Sequence, residues 1–380
     1  MQTIRFGIIG GGLMGREFAS AAARWCHLLD APARPVLVAV CDLQPAIREW
    51  FSGHVPDVRQ ATADYRELLD NPDVDAVYIA VPHNLHAQLY VECLQAGKHL
   101  LGEKPFGIDL PANARILDAV RRHPHLVVRA SSEFPFFPAV QRIVTAVREE
   151  RFGKILEVEA GFLHSSDMDP DKPINWKRTL AANGEYGCMG DLGLHVFHLP
   201  LRFGWVPSNI RAVLSSVVPE RPDASGRLVP CETWDNATLL CEVRTRDQAF
   251  PLTAKTQRMA PGETDTWYLS VKGTRFSARF TTRYPRTLET MPYEKGKPQA
   301  WLDEAVGYES VYKTITGSIF EFGFSDAILQ MIAAFCHQIQ AGPDAQLPFG
   351  CATPDETRLT HAIFTAALLS HKESKVVPVP

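Results

Sequence analysis

Short continuous apolar runs alternate with stretches of helical spacing over the first third of the chain. Ile4–Ile9 reads as a buried strand, followed by glycines and an alanine-rich helix over Arg16–Trp25. Val36–Cys41, Ala76–Val81, His99–Leu101 and Leu126–Val128 read as further strands. Helices are expected from about Leu85 to Ala96, stopped by Gly97, and over Asn113–Arg122. Strands that are apolar on both faces and separated by helices indicate a parallel sheet. Right-handed crossovers then give a doubly wound α/β domain of the Rossmann type.

After about Ala130 the pattern changes. Pro138–Glu150 keeps helical spacing, but Ile155–Phe162, Ile210–Val218, Asn236–Arg244, Trp267–Val271 and Arg275–Phe280 show partial alternation. Alternation of this kind predicts an α+β domain built on a large, mostly antiparallel open sheet. Tyr284–Gly323 is rich in aromatic, glycine and charged residues without a clear period, as a long functional loop or an arm over a site would be. Helices over Ser325–Gln340 and Pro354–Ser370 close the chain. The expected division is therefore a Rossmann dinucleotide-binding domain at 1–130 and an α+β domain for substrate and oligomerisation at 131–380.

Composition narrows the function classes. The 380 residues exceed one ordinary core, and 46% hydrophobic with 22% charged residues is a globular balance. A formal net charge of -4 with no run of Lys or Arg gives no field for a nucleic-acid backbone. The opening apolar run is too short to span a membrane and has no cleavage site after it, so no membrane partner and a cytoplasmic location are expected. Eight cysteines without a CxxC pair read as reduced, scattered apolar residues, neither a disulfide framework nor a zinc ribbon.

Gly10-Gly11-Gly12-Leu13-Met14-Gly15 fits GxGxxG directly after a strand and at the mouth of a helix. Gly10 permits the tight turn, Gly12 opens the backbone to a pyrophosphate, and Gly15 allows close helix–strand packing. The amides around Leu13 and Met14 open the helix, whose N-terminal partial positive charge favours phosphate. Asp42 ends the second strand, where a carboxylate accepts from the adenosine ribose hydroxyls and repels a 2′-phosphate. No Arg stands among Leu43, Gln44 and Pro45 to offset it, which favours NAD over NADP. Asp42 as a helix N-cap is the competing reading.

With this fingerprint, Val81-Pro82-His83-Asn84-Leu85-His86 and Glu103-Lys104-Pro105 make the chain resemble the Gfo/Idh/MocA family of sugar and polyol oxidoreductases. The resemblance is strong from Ile4 to about Ile108, patchy over Ala139–Gly204 and weak beyond. It implies that Lys104 lies beside the nicotinamide and the substrate hydroxyl, and that Pro82, His86 and Glu103 lie along the cofactor. Val81 and His83 depart from the usual Thr and Asn. Gly190–His198 is similar to the family's DxGxHxxD segment, which implies that Asp191 and His195 approach the reacting carbon, while His198 replaces the final Asp. Asp191, His195 and His198 stand at i, i+4 and i+7, one face of a helix. Trp176 and Arg178 resemble the family's Trp-Arg pair bordering the substrate. Glu133 departs from an Asn-Tyr-Arg-like segment and is a candidate for substrate choice.

Hydride can leave a carbinol carbon only as the hydroxyl proton leaves too. A neutral imidazole takes that proton near neutral pH, and a nearby cation stabilises the alkoxide-like oxygen. His195 is thus read as general base, Lys104 as electrostatic partner or relay, and Asp191 as orienter. The expected partner is a small sugar-like molecule, without a metal, in a homodimer or homotetramer. Two other classes compete: a redox-neutral lyase or glycosidase that oxidises its substrate transiently, and a non-catalytic NAD(H) sensor.

Overall fold

A computed structural model describes residues 1–306, 310–317 and 322–380. It divides into two compact units, each discontinuous in sequence: Met1–Gly107 with Pro111–Phe136 and Ser310–Thr357, and Ile108–Leu110 with Phe137–Glu309 and Arg358–Pro380.

In the first unit, β1 (Gln2–Ile9), β2 (Ala33–Cys41), β3 (Gln60–Thr62), β4 (Ala76–Ile79), β5 (His99–Gly102) and β6 (Val128–Ala130) form one parallel sheet. Helices α1 (Leu13–Ala23), α2 (Pro45–His54), α3 (Tyr65–Leu69), α4 (His86–Gln95) and α5 (Leu110–Arg122) connect the strands. The order β3-β2-β1-β4-β5-β6 is the doubly wound one, and its direction reverses between β1 and β4. Ligands of such sheets bind outside the carboxyl ends of the strands beside that reversal. Both the glycine loop after β1 and Glu103-Lys104-Pro105 after β5 stand at carboxyl ends.

The second unit opens with α6 (Pro138–Arg148) and β7 (Ile155–Leu163), then α7 (Leu180–Asn183) and α8 (Cys188–Arg202). Strands β8 (Pro207–Ser215), β9 (Glu220–Pro222), β10 (Leu228–Pro230), β11 (Asn236–Arg244) and β12 (Ala249–Gln257) follow. Next come β13 (Thr266–Gly273), β14 (Phe276–Thr281), β15 (Thr287–Pro292) and β16 (Leu302–Ala305). β9 and β10 pair as a small ribbon. The others, with the terminal β17 (Val377–Pro378), form a nine-stranded sheet in the order β16-β15-β14-β13-β7-β12-β11-β8-β17. Among the described residues, every pairing in it is antiparallel except β7 with β12. β11 and β12 alternate buried and outward residues, and α8 packs across β7, β11 and β12.

Two elements differ from the sequence reading. β12 carries Pro251, which lacks the N–H a central strand needs. The strand accommodates it because Pro251 faces only Glu242 of β11, and pairing with β7 starts at Leu252. Part of Tyr284–Gly323 is not a loop: β15 and β16 extend the sheet at its edge, where short, charged strands are expected. Residues 307–309 and 318–321 of that segment lie outside the described residues.

After them the chain returns to the first unit. Gln330 and Tyr312 exchange two hydrogen bonds of 2.7 Å. Gln330 belongs to α9 (Phe324–Ala341), which packs on α1 and β2. Its Phe335 meets Phe6 of β1 at 6.1 Å, and Phe6 leads through Phe18 to Tyr78 in a ring-to-ring column. Each fully buried ring contributes roughly 1.5–3 kcal/mol. α9 thus seals a face that the parallel strands leave apolar. The last helix is α10 (Pro354–Glu373). No described helix is long and apolar enough to cross a membrane.

Candidate cofactor and substrate sites

The glycine loop is shaped by close backbone approach. Gly10 has φ +92°, and a Cβ there would stand 2.2 Å from the Ala80 carbonyl oxygen. A Cβ on Gly15 would stand 2.4 Å from the Gly10 oxygen, so the α1 turn sits directly on the loop. Gly12 differs, since a Cβ there would meet nothing within 4 Å. No side chain caps α1, and Leu13 at its first position is exposed. An open glycine over uncapped helix amides suits a pyrophosphate. Gly10→Ala is expected to weaken NADH binding at least tenfold in a fluorescence titration, because the left-handed turn and the Ala80 clash both oppose it. An unchanged affinity would overturn this role.

Asp42 does not cap α2, whose N-cap is Gln44. Its carboxylate accepts from the Gly11 and Gln44 amides, both at 2.9 Å, and ties the end of β2 to the loop. A carboxylate has about four acceptor positions, so capacity for a ribose diol remains. Arg48, one helical turn beyond the residues weighed in the sequence, donates to the carbonyls of Asp42 and Leu43.

The segment around Lys104 is clamped on both sides. Tyr90 donates to the Glu103 carbonyl at 2.5 Å, and His86 Nδ1 faces the Pro105 carbonyl at 2.7 Å. His86 Nε2 faces the Val81 carbonyl at 2.9 Å, and the imidazole stacks on Tyr90. Burial holds the His86 pKa below its usual value, although both carbonyls pull it upward. Pro82 opens the short 3-10 turn that leads into His86. The Glu103 side chain is buried and accepts from Tyr78 at 2.6 Å and from the Lys104 amide at 3.3 Å. Burial, with Glu103 and then Glu133 adding repulsion, raises the Tyr78 pKa well above normal, so its hydroxyl stays a donor. Glu133 is itself buried just beyond β6. Lys104 is half-buried at the centre of this frame.

In the second unit, α8 carries Asp191, His195 and His198 on one face, all buried. Lys177 donates to both Asp191 oxygens at 3.0 and 2.9 Å, and Arg258 donates to Oδ2. His195 packs edge-on against Phe162 at 5.4 Å, while its carbonyl accepts from the Trp267 indole at 2.9 Å. Arg202 donates to His198 Nε2 at 2.9 Å, one turn along the helix. Trp176 is half-buried, with the Lys177 ammonium 5.6 Å from its ring centre.

Arg178 is fully buried and forms ion pairs with Asp167 and, at 2.5 Å, with Asp235. Asp167 also accepts from Arg258 at 2.8 Å and from Lys172 at 2.9 Å. Asp167, Asp235 and Arg258 were invisible to sequence reasoning. They are far apart in the chain, and only the fold joins them to Asp191. Among the described residues, no group of three or more His, Cys, Asp or Glu is placed to hold a metal.

Comparison with known proteins places the chain in a family. Residues 4–130 match the oxidoreductase family with an NAD-binding Rossmann fold, and residues 140–279 match the GFO/IDH/MocA C-terminal domain. Levoglucosan dehydrogenase of Pseudarthrobacter phenanthrenivorans is 31% identical over 227 residues, 60% of this chain and 57% of that protein. Trans-1,2-dihydrobenzene-1,2-diol dehydrogenase of Sus scrofa is 29% identical over 242 residues, 63% and 65% of the two chains. The matches thus span about half to two thirds of these curated relatives. Among solved structures, levoglucosan dehydrogenase with NADH and levoglucosan superposes with a TM-score of 0.87, at 24% identity and full coverage of both chains. An inositol dehydrogenase homolog with NAD+ from Azotobacter vinelandii gives 0.81 at 20% identity, covering 99% of this chain and 97% of that one. With both of its halves matched in order, the chain belongs to the Gfo/Idh/MocA family of oxidoreductases.

Proposed function

We propose that the protein transfers a hydride between NAD and a secondary alcohol of a sugar, polyol or sugar derivative. The observation that carries this reading is the buried helix α8, which presents His195 one turn beyond an Asp191 anchored by Lys177 and Arg258. The relatives named above are a levoglucosan dehydrogenase and a diol dehydrogenase, which favours a CH–OH substrate.

When bound, NAD supplies the hydride acceptor. His195 takes the hydroxyl proton as general base, a role that a neutral imidazole can fill. Lys104 supplies a positive charge at the oxygen where negative charge develops. Asp191, held at both oxygens, orients the substrate. Glu133, Trp176 and His198 border the substrate in this reading, and Pro82, His86 and Glu103 support the cofactor side. Residues 1–130 serve the cofactor and 131–380 the substrate. Leu156, Val213 and Leu240 are each more than half exposed on the outer face of the large sheet, and a second copy of the chain covers them.

Incubation with NAD+ and a panel of polyols, inositols, sugars and sugar acids is expected to form NADH in proportion to oxidised product. Product without net NADH would replace this reading by redox-neutral chemistry. NADH binding without any product would leave a sensor.

A further inference from the structure

The cation that the turn after β2 lacks in sequence is supplied to it by the fold. Asp42, Leu43 and Gln44 carry no positive charge, but α2 brings Arg48 back onto them. Its Nη1 donates to the Asp42 carbonyl at 2.6 Å and to the Leu43 carbonyl at 3.1 Å. Among the described residues, its Nε and Nη2 make no hydrogen bond and its guanidinium forms no ion pair. The Asp42 carboxylate is spent on amides instead, Oδ2 on Gly11 and Oδ1 on Gln44. Asp64 and Glu67 also act on this end of β2, but each is engaged. Glu67 accepts from Thr62 at 2.5 Å, and Asp64 accepts from the Arg66 amide at 2.9 Å.

The start of α2 adds to the positive character of this turn. Gln44 gives no side-chain cap, and no acid stands in the first helical turn. Uncapped amides and the partial charge of a helix N-terminus favour an anion. The turn is also open, since Leu43 is exposed and Arg48 half-buried. In a doubly wound domain the end of the second strand meets the adenosine ribose, where NADP differs from NAD by one 2′-phosphate. Two opposite charges therefore stand at the point of difference. The carboxylate suits a hydroxyl, and a guanidinium is the group that recognises phosphate. A phosphate bound to Arg48 would press against Asp42, and like charges in contact cost more than a half-exposed ion pair returns. Asp42 therefore prevails.

We propose that Arg48 is the second determinant of cofactor choice: it steadies the turn that offers Asp42 to the ribose, and it is a phosphate receptor held out of use by Asp42. Preference for NAD over NADP then rests on one carboxylate. Without that carboxylate, the Gly11 and Gln44 amides lose their acceptor and join Arg48 as donors to a 2′-phosphate. The proposal rests on the reading of Asp42 as the ribose ligand, and not on the substrate or the direction of hydride transfer.

The test titrates NADH and NADPH separately into the full-length protein by fluorescence, so that no turnover is needed. The parent is compared with Arg48→Met, with Asp42→Ser, and with Asp42→Ser combined with either Arg48→Met or Arg48→Lys. Arg48→Met alone is expected to weaken NADH about three- to tenfold, through the loosened turn. Asp42→Ser is expected to raise NADPH affinity at least about tenfold while NADH affinity falls. Adding Arg48→Met is expected to remove most of that gain, lowering NADPH at least about fivefold more than NADH. Adding Arg48→Lys, which keeps the charge, is expected to preserve most of it. Raised salt is expected to weaken NADPH binding to Asp42→Ser more than NADH binding. An equal loss of both coenzymes on adding Arg48→Met would reduce Arg48 to a brace and overturn the proposal. An undiminished NADPH gain in that double variant would overturn it as well. Unchanged affinities in Asp42→Ser would instead remove Asp42 from the ribose, and the underlying reading would fall first.

Discussion

Lys104→Met is expected to lower kcat about 10³-fold while NADH affinity stays within about threefold of the parent. Methionine keeps most of the stem and removes only the charge, so the frame around it should persist. That frame is unusually complete: the carbonyl before Lys104 is held by Tyr90, the one after Pro105's ring by His86, and the Glu103 carboxylate by Tyr78. A cation whose main chain is held this way is carried to one place in the frame, where preorganisation favours developing charge on the substrate oxygen. Steady-state kinetics with NADH titration decides the matter. A loss of kcat below tenfold would remove Lys104 from the transition state, and a collapse of NADH affinity would make it a cofactor ligand.

Asp167→Ala is expected to cost about 3–5 kcal/mol of stability. The substitution leaves Arg178 and Arg258 buried without the carboxylate they share, and frees Lys172. Such a penalty reflects stranded charge more than the worth of the original pairs. Calorimetry should show a large fall in the unfolding transition. Arg258 also holds Asp191, so activity is expected to fall even in the folded fraction. A loss of stability under about 1 kcal/mol would mean that water reaches the arginines.

These two sites differ in how far the sequence reveals them. The Rossmann strands are legible because parallel strands buried on both faces are written as unbroken apolar runs. The glycine loop, Asp42 and Lys104 sit at strand ends, so locating the strands locates them. The spacing of Asp191, His195 and His198 likewise needs only the helical period. What surrounds Asp191 is not local. Lys177 is near in sequence, but Asp167 and Arg258 come from a loop and from the end of β12, a strand that Pro251 disguises. Arg178 illustrates the limit: two residues after Trp176, it reads as a residue facing a ligand, yet its guanidinium is paired with Asp167 and Asp235. Sequence shows that a position is charged, and the fold decides which partner it meets.

The return of α9 to the first sheet bears on the order of events during synthesis. Phe6 emerges from the ribosome more than three hundred residues before Phe335, its partner across that face. Until α9 arrives, the part of that face around Phe6 that α1 does not cover has no shield. The second unit's long sheet is translated in that interval, at a time when exposed apolar surface invites mispairing. The protein that results is one whose first-made half is among the last to be finished.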